Sequence, residues 1–180
     1  EKSVGDGSFF GAAMGEGLLY VGTYDSKHLT ALSISDGSEQ WKVTMENQGF
    51  AASPVYVDGV VYAVSTNFSN GAGTLIAFDA ASGNQLWSAS GIGDTQAGSP
   101  IVYDDLVIIG SAVNPIIKAF NKTSGDLVWE TDNGSTMVNS GAVSGNGYLF
   151  VADLSSNLHV YDVFTGDRLH TYQLKNISTT

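Results

Sequence analysis

A stretch of eleven residues recurs four times and limits what this chain can fold into more than any other feature. The copies are Ala31 to Trp41 (ALSISDGSEQW), Ala77 to Trp87 (AFDAASGNQLW), Ala119 to Trp129 (AFNKTSGDLVW) and Val160 to His170 (VYDVFTGDRLH). In each, a short apolar run leads to an Asx or Ser turn, a glycine and a second run, the local grammar of two tightly joined strands. A second marker, an Asp-Gly-like turn, lies upstream at Glu16-Gly17, Asp58-Gly59, Asp104-Asp105 and Asn146-Gly147. From each Trp to the second residue of the next turn the spacing is fixed: 41 to 59, 87 to 105 and 129 to 147 are each 18. From turn to alanine-type position it varies, with 17 to 31 and 105 to 119 spanning 14, 59 to 77 spanning 18, and 147 to 160 spanning 13. Such a period describes repeated supersecondary units whose insertions fall in one surface loop.

Each unit reads as a four-stranded antiparallel meander. In the second, strands over 53–57 and 60–65 flank Asp58-Gly59, a loop covers 66–73, and strands follow over 74–79 and 85–90. The first gives strands at 11–14, 18–23, 29–34 and 40–44; the third at 100–103, 106–111, 116–121 and 127–131; the fourth at 142–144, 148–152, 158–163 and 168–174. The repeats occupy approximately 9–44, 51–90, 98–131 and 140–174 of one domain or segment over 1–180. In the third strands Leu29, Leu75, Ile117 and Leu158 stand on the opposite face from Leu32, Phe78, Phe120 and Tyr161, so both faces need cover. Radial packing of four-stranded sheets supplies it, and the expected fold is an all-β propeller of four-stranded antiparallel blades. The 22 glycines, 3 prolines and absence of helical period agree with that class.

The pattern Ala-x-Asp-x-x-(Ser/Thr)-Gly-x-x-x-Trp, intact as Ala77, Asp79, Ser82, Gly83 and Trp87, resembles the tryptophan-docking motif of the pyrroloquinoline-quinone (PQQ) type propeller repeat. The resemblance covers nearly the whole chain. It implies that Trp41, Trp87 and Trp129 pack between adjacent blades, each with an indole N–H that needs a partner. Ser33 and Asn121 depart from the Asp, Asp105 replaces a turn glycine, and His170 stands where a fourth Trp would be, the mark of a degenerate last blade. The resemblance also implies a ring larger than four blades. An arc of four leaves an apolar face at each end, to be covered by further blades of the same polypeptide or by a second copy.

The formal net charge of −11 argues against nucleic acid as a partner. No stretch reaches the length of an apolar membrane span, and the first residues do not read as a signal peptide. Without cysteine there is no disulfide framework, thiol catalysis or Cys-ligated zinc. Four sequons are candidates for N-glycosylation: Asn67, Asn133, Asn176 and Asn121. Asn67 and Asn133 are the best placed, in loops at one mouth. Asn121 is the least suited, because it sits at the Asp position of the repeated turn.

Propellers bind ligands at one mouth of the channel, here loops 45–52, 91–99 and 132–140 with the connections between second and third strands. Their polar side chains include Glu46, Gln48, Asp94, Gln96 and Asn139. They form no recognisable catalytic set. His28, His159 and His170 fall on third or fourth strands, away from that mouth, and so do not make a Ser-His-Asp triad. Residues 132–135 supply only a fragment of a calcium loop. The resemblance therefore implies a non-catalytic scaffold for protein or glycan partners outside the cytoplasm, a class that includes assembly-factor propellers serving outer-membrane β-barrel insertion. The alternative it implies is a fragment of a quinoprotein dehydrogenase whose catalytic residues lie elsewhere. PQQ and calcium are expected only under that alternative.

Overall fold

The computed structural model describes residues 9–67, 69–93, 98–111, 114–135, 137–143 and 145–174, with backbone alone at 9 and 137–143. Blade 1 comprises β1 (Phe9–Gly15), β2 (Leu18–Thr23), β3 (His28–Ser33) and β4 (Glu39–Thr44). Blade 2 has a split innermost strand, β5 (Gly49–Phe50) and β6 (Val55–Val57), followed by β7 (Val60–Asn67), β8 (Ala72–Asp79) and β9 (Gln85–Ser90). Blade 3 holds β10 (Ile101–Tyr103), β11 (Leu106–Gly110), β12 (Ile116–Asn121) and β13 (Leu127–Asp132). Blade 4 holds β14 (Met137–Val143), β15 (Tyr148–Asp153), β16 (Asn157–Asp162) and β17 (Arg168–Gln173). Every sheet is an antiparallel meander with strands in chain order. The innermost strands β1, β6, β10 and β14 are successive neighbours, which sets the blades side by side around a common axis.

Turn chemistry fixes the hairpins. Asp58 (φ 50°) and Gly59 (φ 80°) are both left-handed, as a two-residue turn between twisted strands requires. The backbone N–H groups of Ile34, Ala80, Lys122 and Val163 then donate to the carbonyls of Gly17, Gly59, Asp105 and Gly147, tying the outer hairpin of each blade to its inner one. The long connection in blade 2 corrects the loop expected over 66–73. Pairing runs on through Thr66↔Gly73 to Asn67↔Ala72, so the four extra residues lengthen a ladder instead of forming an open loop. Unpaired backbone needs water, whereas laddered backbone satisfies itself.

The core is three layers between blades. Blades 1 and 2 enclose Tyr20, Leu29, Phe50, Val61, Ile76 and Phe78. Between blades 2 and 3 lie Tyr62, Val64, Leu75, Trp87, Val107 and Phe120, and between blades 3 and 4 lie Ile108, Ile117, Trp129, Leu149 and Tyr161. Leu75 and Phe78 thus serve different layers, as the two-faced apolar pattern requires. Burial of this kind contributes about 25 cal/mol per Å² of apolar surface and dominates the stability of the arc.

Candidate functional site

Three features stand out: the joints between blades, the loops at one mouth, and a polar cluster that ties blade 4 to blade 3. At each joint a tryptophan reaches from the outer strand of one blade to the outer turn of the next. Trp41 Nε1 donates to Ala80 O at 2.9 Å, Trp87 Nε1 to Lys122 O at 3.0 Å, and Trp129 Nε1 to Val163 O at 3.0 Å. The ring lies on a glycine of the same turn. A Cβ on Gly83 would stand 2.7 Å from Trp41, one on Gly125 2.7 Å from Trp87, and one on Gly166 2.6 Å from Trp129. These glycines also have φ of 74°, 76° and 73°, so the position excludes side chains twice over.

The Asp of the repeat shapes this seat. Asp79 Oδ1 accepts from the Ser82 backbone and hydroxyl, Asn121 Oδ1 from Thr123 N and Ser124 N, and Asp162 Oδ1 from Phe164 N and Thr165 N. The Ser82 hydroxyl bond, helped by backbone donors, holds the Asp79 carboxyl below its ordinary range. Tyrosines reinforce two of the joints. Tyr20 OH donates to the same Ala80 carbonyl as Trp41, and Tyr62 OH to the same Lys122 carbonyl as Trp87, each at 3.3 Å. Burial pushes both phenols up to about 12, with neighbouring carboxylates adding to it.

The third joint is built differently, because Ile108 occupies the place of those tyrosines. Instead the Tyr161 hydroxyl donates to Asn133 Oδ1, and Arg168 Nε donates to Tyr161 OH at 3.2 Å. Arg168 Nη2 donates to the carbonyls of Asp132 (3.0 Å) and Asn133 (2.7 Å), with the guanidinium 5.5 Å above the Tyr161 ring. Beside this lies a buried acid–imidazole pair, His159 Nε2 to Asp153 Oδ2 at 3.0 Å, with His159 Nδ1 2.9 Å from Thr171 Oγ1. Asp153 also accepts from Ser155 N, Asn157 N and Asn157 Nδ2. Burial works to raise its pKa, but the hydrogen bonds from Asn157, His159 and Ser135 prevail and hold the carboxyl well below the usual range.

The described mouth residues are fastened to their neighbours. The Gln48 side chain accepts from Ser65 Oγ at 2.7 Å, fastening its loop to blade 2. At Glu46 the backbone carbonyl accepts from Lys27 Nζ, and Asn67 Nδ2 donates to Asn47 O. Asn139 lies on β14, and only its backbone is described; Asp94, Gln96 and Asn176 fall outside the described residues. Asn133 requires a correction. It is 1% exposed, and the Nδ2 to which a glycan would be joined donates to Ser135 O, so the folded chain has no room for that modification. Asn121 spends its Oδ1 on its own turn, as its place in the repeat suggested. His159 is a buried hydrogen-bonded core group, and His170 is exposed beside Tyr172. Among the described residues no three His, Asp or Glu side chains come together to hold a metal. No helix among them is long and apolar enough to cross a membrane.

Four-stranded meanders set radially, the first three locked by an indole onto the next blade's glycine turn, define a β-propeller of PQQ-type repeats. The comparisons place the chain more narrowly: it belongs to the family described as outer membrane protein assembly factor BamB, whose profile matches residues 2–115 and 113–178. The crystal structure of BamB from Moraxella catarrhalis superposes with a TM-score of 0.72 at 23% identity, over 94% of this chain and 51% of that one. Quinohemoprotein alcohol dehydrogenase from Comamonas testosteroni superposes at 0.75 with 16% identity, over 93% of this chain and 35% of that one. Among curated sequences, the tetrathionate hydrolase of Acidithiobacillus ferrooxidans is 28% identical over 179 residues, 87% of this chain and 35% of the hydrolase. The chain spans 34% to 37% of the length of the curated relatives it matches.

Proposed function

We propose that this chain is a segment of a non-catalytic propeller scaffold that works outside the cytoplasm and holds a protein partner on its mouth loops. The observation that carries the reading is the end-to-end match to the BamB family, whose description is that of an assembly factor. Site chemistry supports it. Two polar groups at the mouth fix its loops, Gln48 on Ser65 and Asn67 on Asn47, which suits a preorganised surface for recognition. A glycan is the second class of occupant for the same loops. The reading includes further blades that complete the ring. Blade 1 carries the acceptor side of a joint, with Ile34 tied to Gly17 as Ala80 is to Gly59 and with Gly37 at φ 69°. A second copy of the chain is the other way to supply that neighbour.

The test is site-specific photo-crosslinking in the full-length protein in its own cells, with the probe at Glu46 on the mouth and, as control, at Asp58 on the opposite hairpin end. Crosslinks to a discrete protein from Glu46 and none from Asp58 are expected. Equal labelling from both positions, or none from Glu46, would count against the scaffold. A second reading, a segment of a quinoprotein dehydrogenase, draws on the likeness to the Comamonas enzyme, which is a likeness of fold. Dye reduction by the full-length protein on addition of PQQ and Ca²⁺ would favour it.

A further inference from the structure

Two histidines stand directly opposite a threonine across the outer ladder of a blade: His28↔Thr44 between β3 and β4, and His159↔Thr171 between β16 and β17. In both pairs the hydroxyl lies on the imidazole. Thr44 Oγ1 is 3.0 Å from His28 Nδ1 and Thr171 Oγ1 is 2.9 Å from His159 Nδ1, and both threonines are exposed. The pairs differ at the other ring nitrogen. His28 is half-buried, and among the described residues no carboxylate pairs with it. His159 is buried, with Nε2 3.0 Å from Asp153 Oδ2. Asp153 also accepts from Ser155 N, Asn157 N and Asn157 Nδ2, and the carboxyl, held below its usual range, is an ionised acceptor at neutral pH. An ionised acceptor on Nε2 keeps the ring proton there and leaves Nδ1 with its lone pair, so the Thr171 hydroxyl donates to it. In blade 1 no acid sets the tautomer in that way.

We propose that Thr171 is a nucleophilic hydroxyl that takes an acyl group from activated carboxylic esters, with His159 as its base and Asp153 orienting the ring. A hydroxyl within hydrogen-bond reach of an imidazole that a third group orients is the arrangement that activates such a nucleophile. Thr171 Oγ1 attacks the ester carbonyl carbon while its proton passes to His159 Nδ1, and the Asp153 carboxylate stabilises the imidazolium that forms. The new Oγ1–C bond replaces the ester C–O bond, and the alcohol leaves with the proton returned from Nδ1. The products are an acyl-threonine and a free alcohol. β17 is the outermost strand of its blade, so a donor reaches the exposed Thr171 from solvent while Asp153 and His159 stay covered. The inference concerns one covalent modification and no turnover, and so goes beyond the scaffold reading without replacing it.

Treatment of the native full-length protein with p-nitrophenyl acetate at neutral pH, followed by peptide mass mapping, tests this. Acetylation of Thr171 is expected to exceed that of Thr44 by more than about tenfold, because Thr44 shares the imidazole and lacks the orienting acid. Thr171→Val should remove the label while leaving the Asp153–His159 pair in place. Asp153→Asn should bring Thr171 down to the level of Thr44 while the sheet signal in circular dichroism persists at neutral pH. If that variant does not fold, the comparison of the two threonines within one wild-type molecule still decides. Equal acetylation of Thr44 and Thr171, no acetyl group on Thr171, or unchanged labelling in folded Asp153→Asn would overturn the proposal.

Discussion

The joint between blades 2 and 3 and the joint between blades 3 and 4 look alike in sequence and are held by different chemistry. In the first, Trp87 and Tyr62 share one acceptor, Lys122 O, inside an apolar layer. In the second, Trp129 has Val163 O without such a tyrosine, and the buried Asn133, Tyr161, Asp153 and His159, with the exposed Arg168 laid over them, form a polar cluster beside it. An apolar joint depends on contact area and responds little to pH. A polar one depends on protonation states and fails when one of its members is left without a partner. The repeat preserves the indole seat and leaves each joint free to find its second fastening.

The largest effect is expected from Trp87→Ala, which empties a layer and removes one of the two donors to Lys122 O; a loss of about 3–5 kcal/mol is anticipated by chemical denaturation. Trp41→Ala should cost less, because Trp41 is only partly buried while Trp87 is 8% exposed. If Trp41→Ala proves the worse of the two, burial does not rank the joints.

Arg168→Met comes next. It keeps the length of the side chain and removes donors to Tyr161, Asp132 and Asn133, at about 1–3 kcal/mol. Hydrogen exchange in the variant should rise at β16 and β17 more than at β7 and β8, a readout that distinguishes loosening of this joint from general destabilisation. Tyr62→Phe should cost about 1 kcal/mol or less, since Lys122 O keeps its bond from Trp87. In a spectrophotometric titration Tyr20 and Tyr62 should ionise last. Their folded values are raised, so their contribution is whole below about pH 10, where an unfolded tyrosine titrates, and is lost as pH rises toward about 12.

Much of this architecture can be read from the sequence because it depends on local spacing. The Trp positions, the Gly83, Gly125 and Gly166 seats and the Asp-Gly hairpins recur at fixed intervals, and a fixed interval reports a shared backbone geometry. The second fastenings cannot be read that way. The residue just before the alanine-type position is Thr30, Ile76, Lys118 or His159, and each meets a different environment. The Thr30 hydroxyl is buried without a partner, and Ile76 joins the core. Lys118 pairs with Glu130 at 3.0 Å and bonds Gly91 O, whereas His159 meets Asp153. Those partners lie on other strands at irregular separations, and Arg168 reaches Asn133 across 35 positions. The same non-local contact hides the sequon at Asn133, whose pattern says nothing of burial. Gln48, expected to face a ligand, turns to Ser65 because the short β5 that follows it pairs with β7.

The contrast between joints is tested most directly by hydrogen exchange of each blade as a function of pH, in the wild type and in Asp153→Asn. Asp153 is depressed in the fold, so its stabilisation is complete above about pH 3.9, where an unfolded aspartate titrates. It is lost as pH falls through the lower folded value. Protection of β15 and β16, corrected for intrinsic exchange, should therefore fall on acidification before that of β7 and β8. In Asp153→Asn it should start lower at neutral pH and change much less with acid. Equal acid sensitivity of the two blades, or an unaltered profile in Asp153→Asn, would contradict a blade 3–4 joint held by its buried polar cluster.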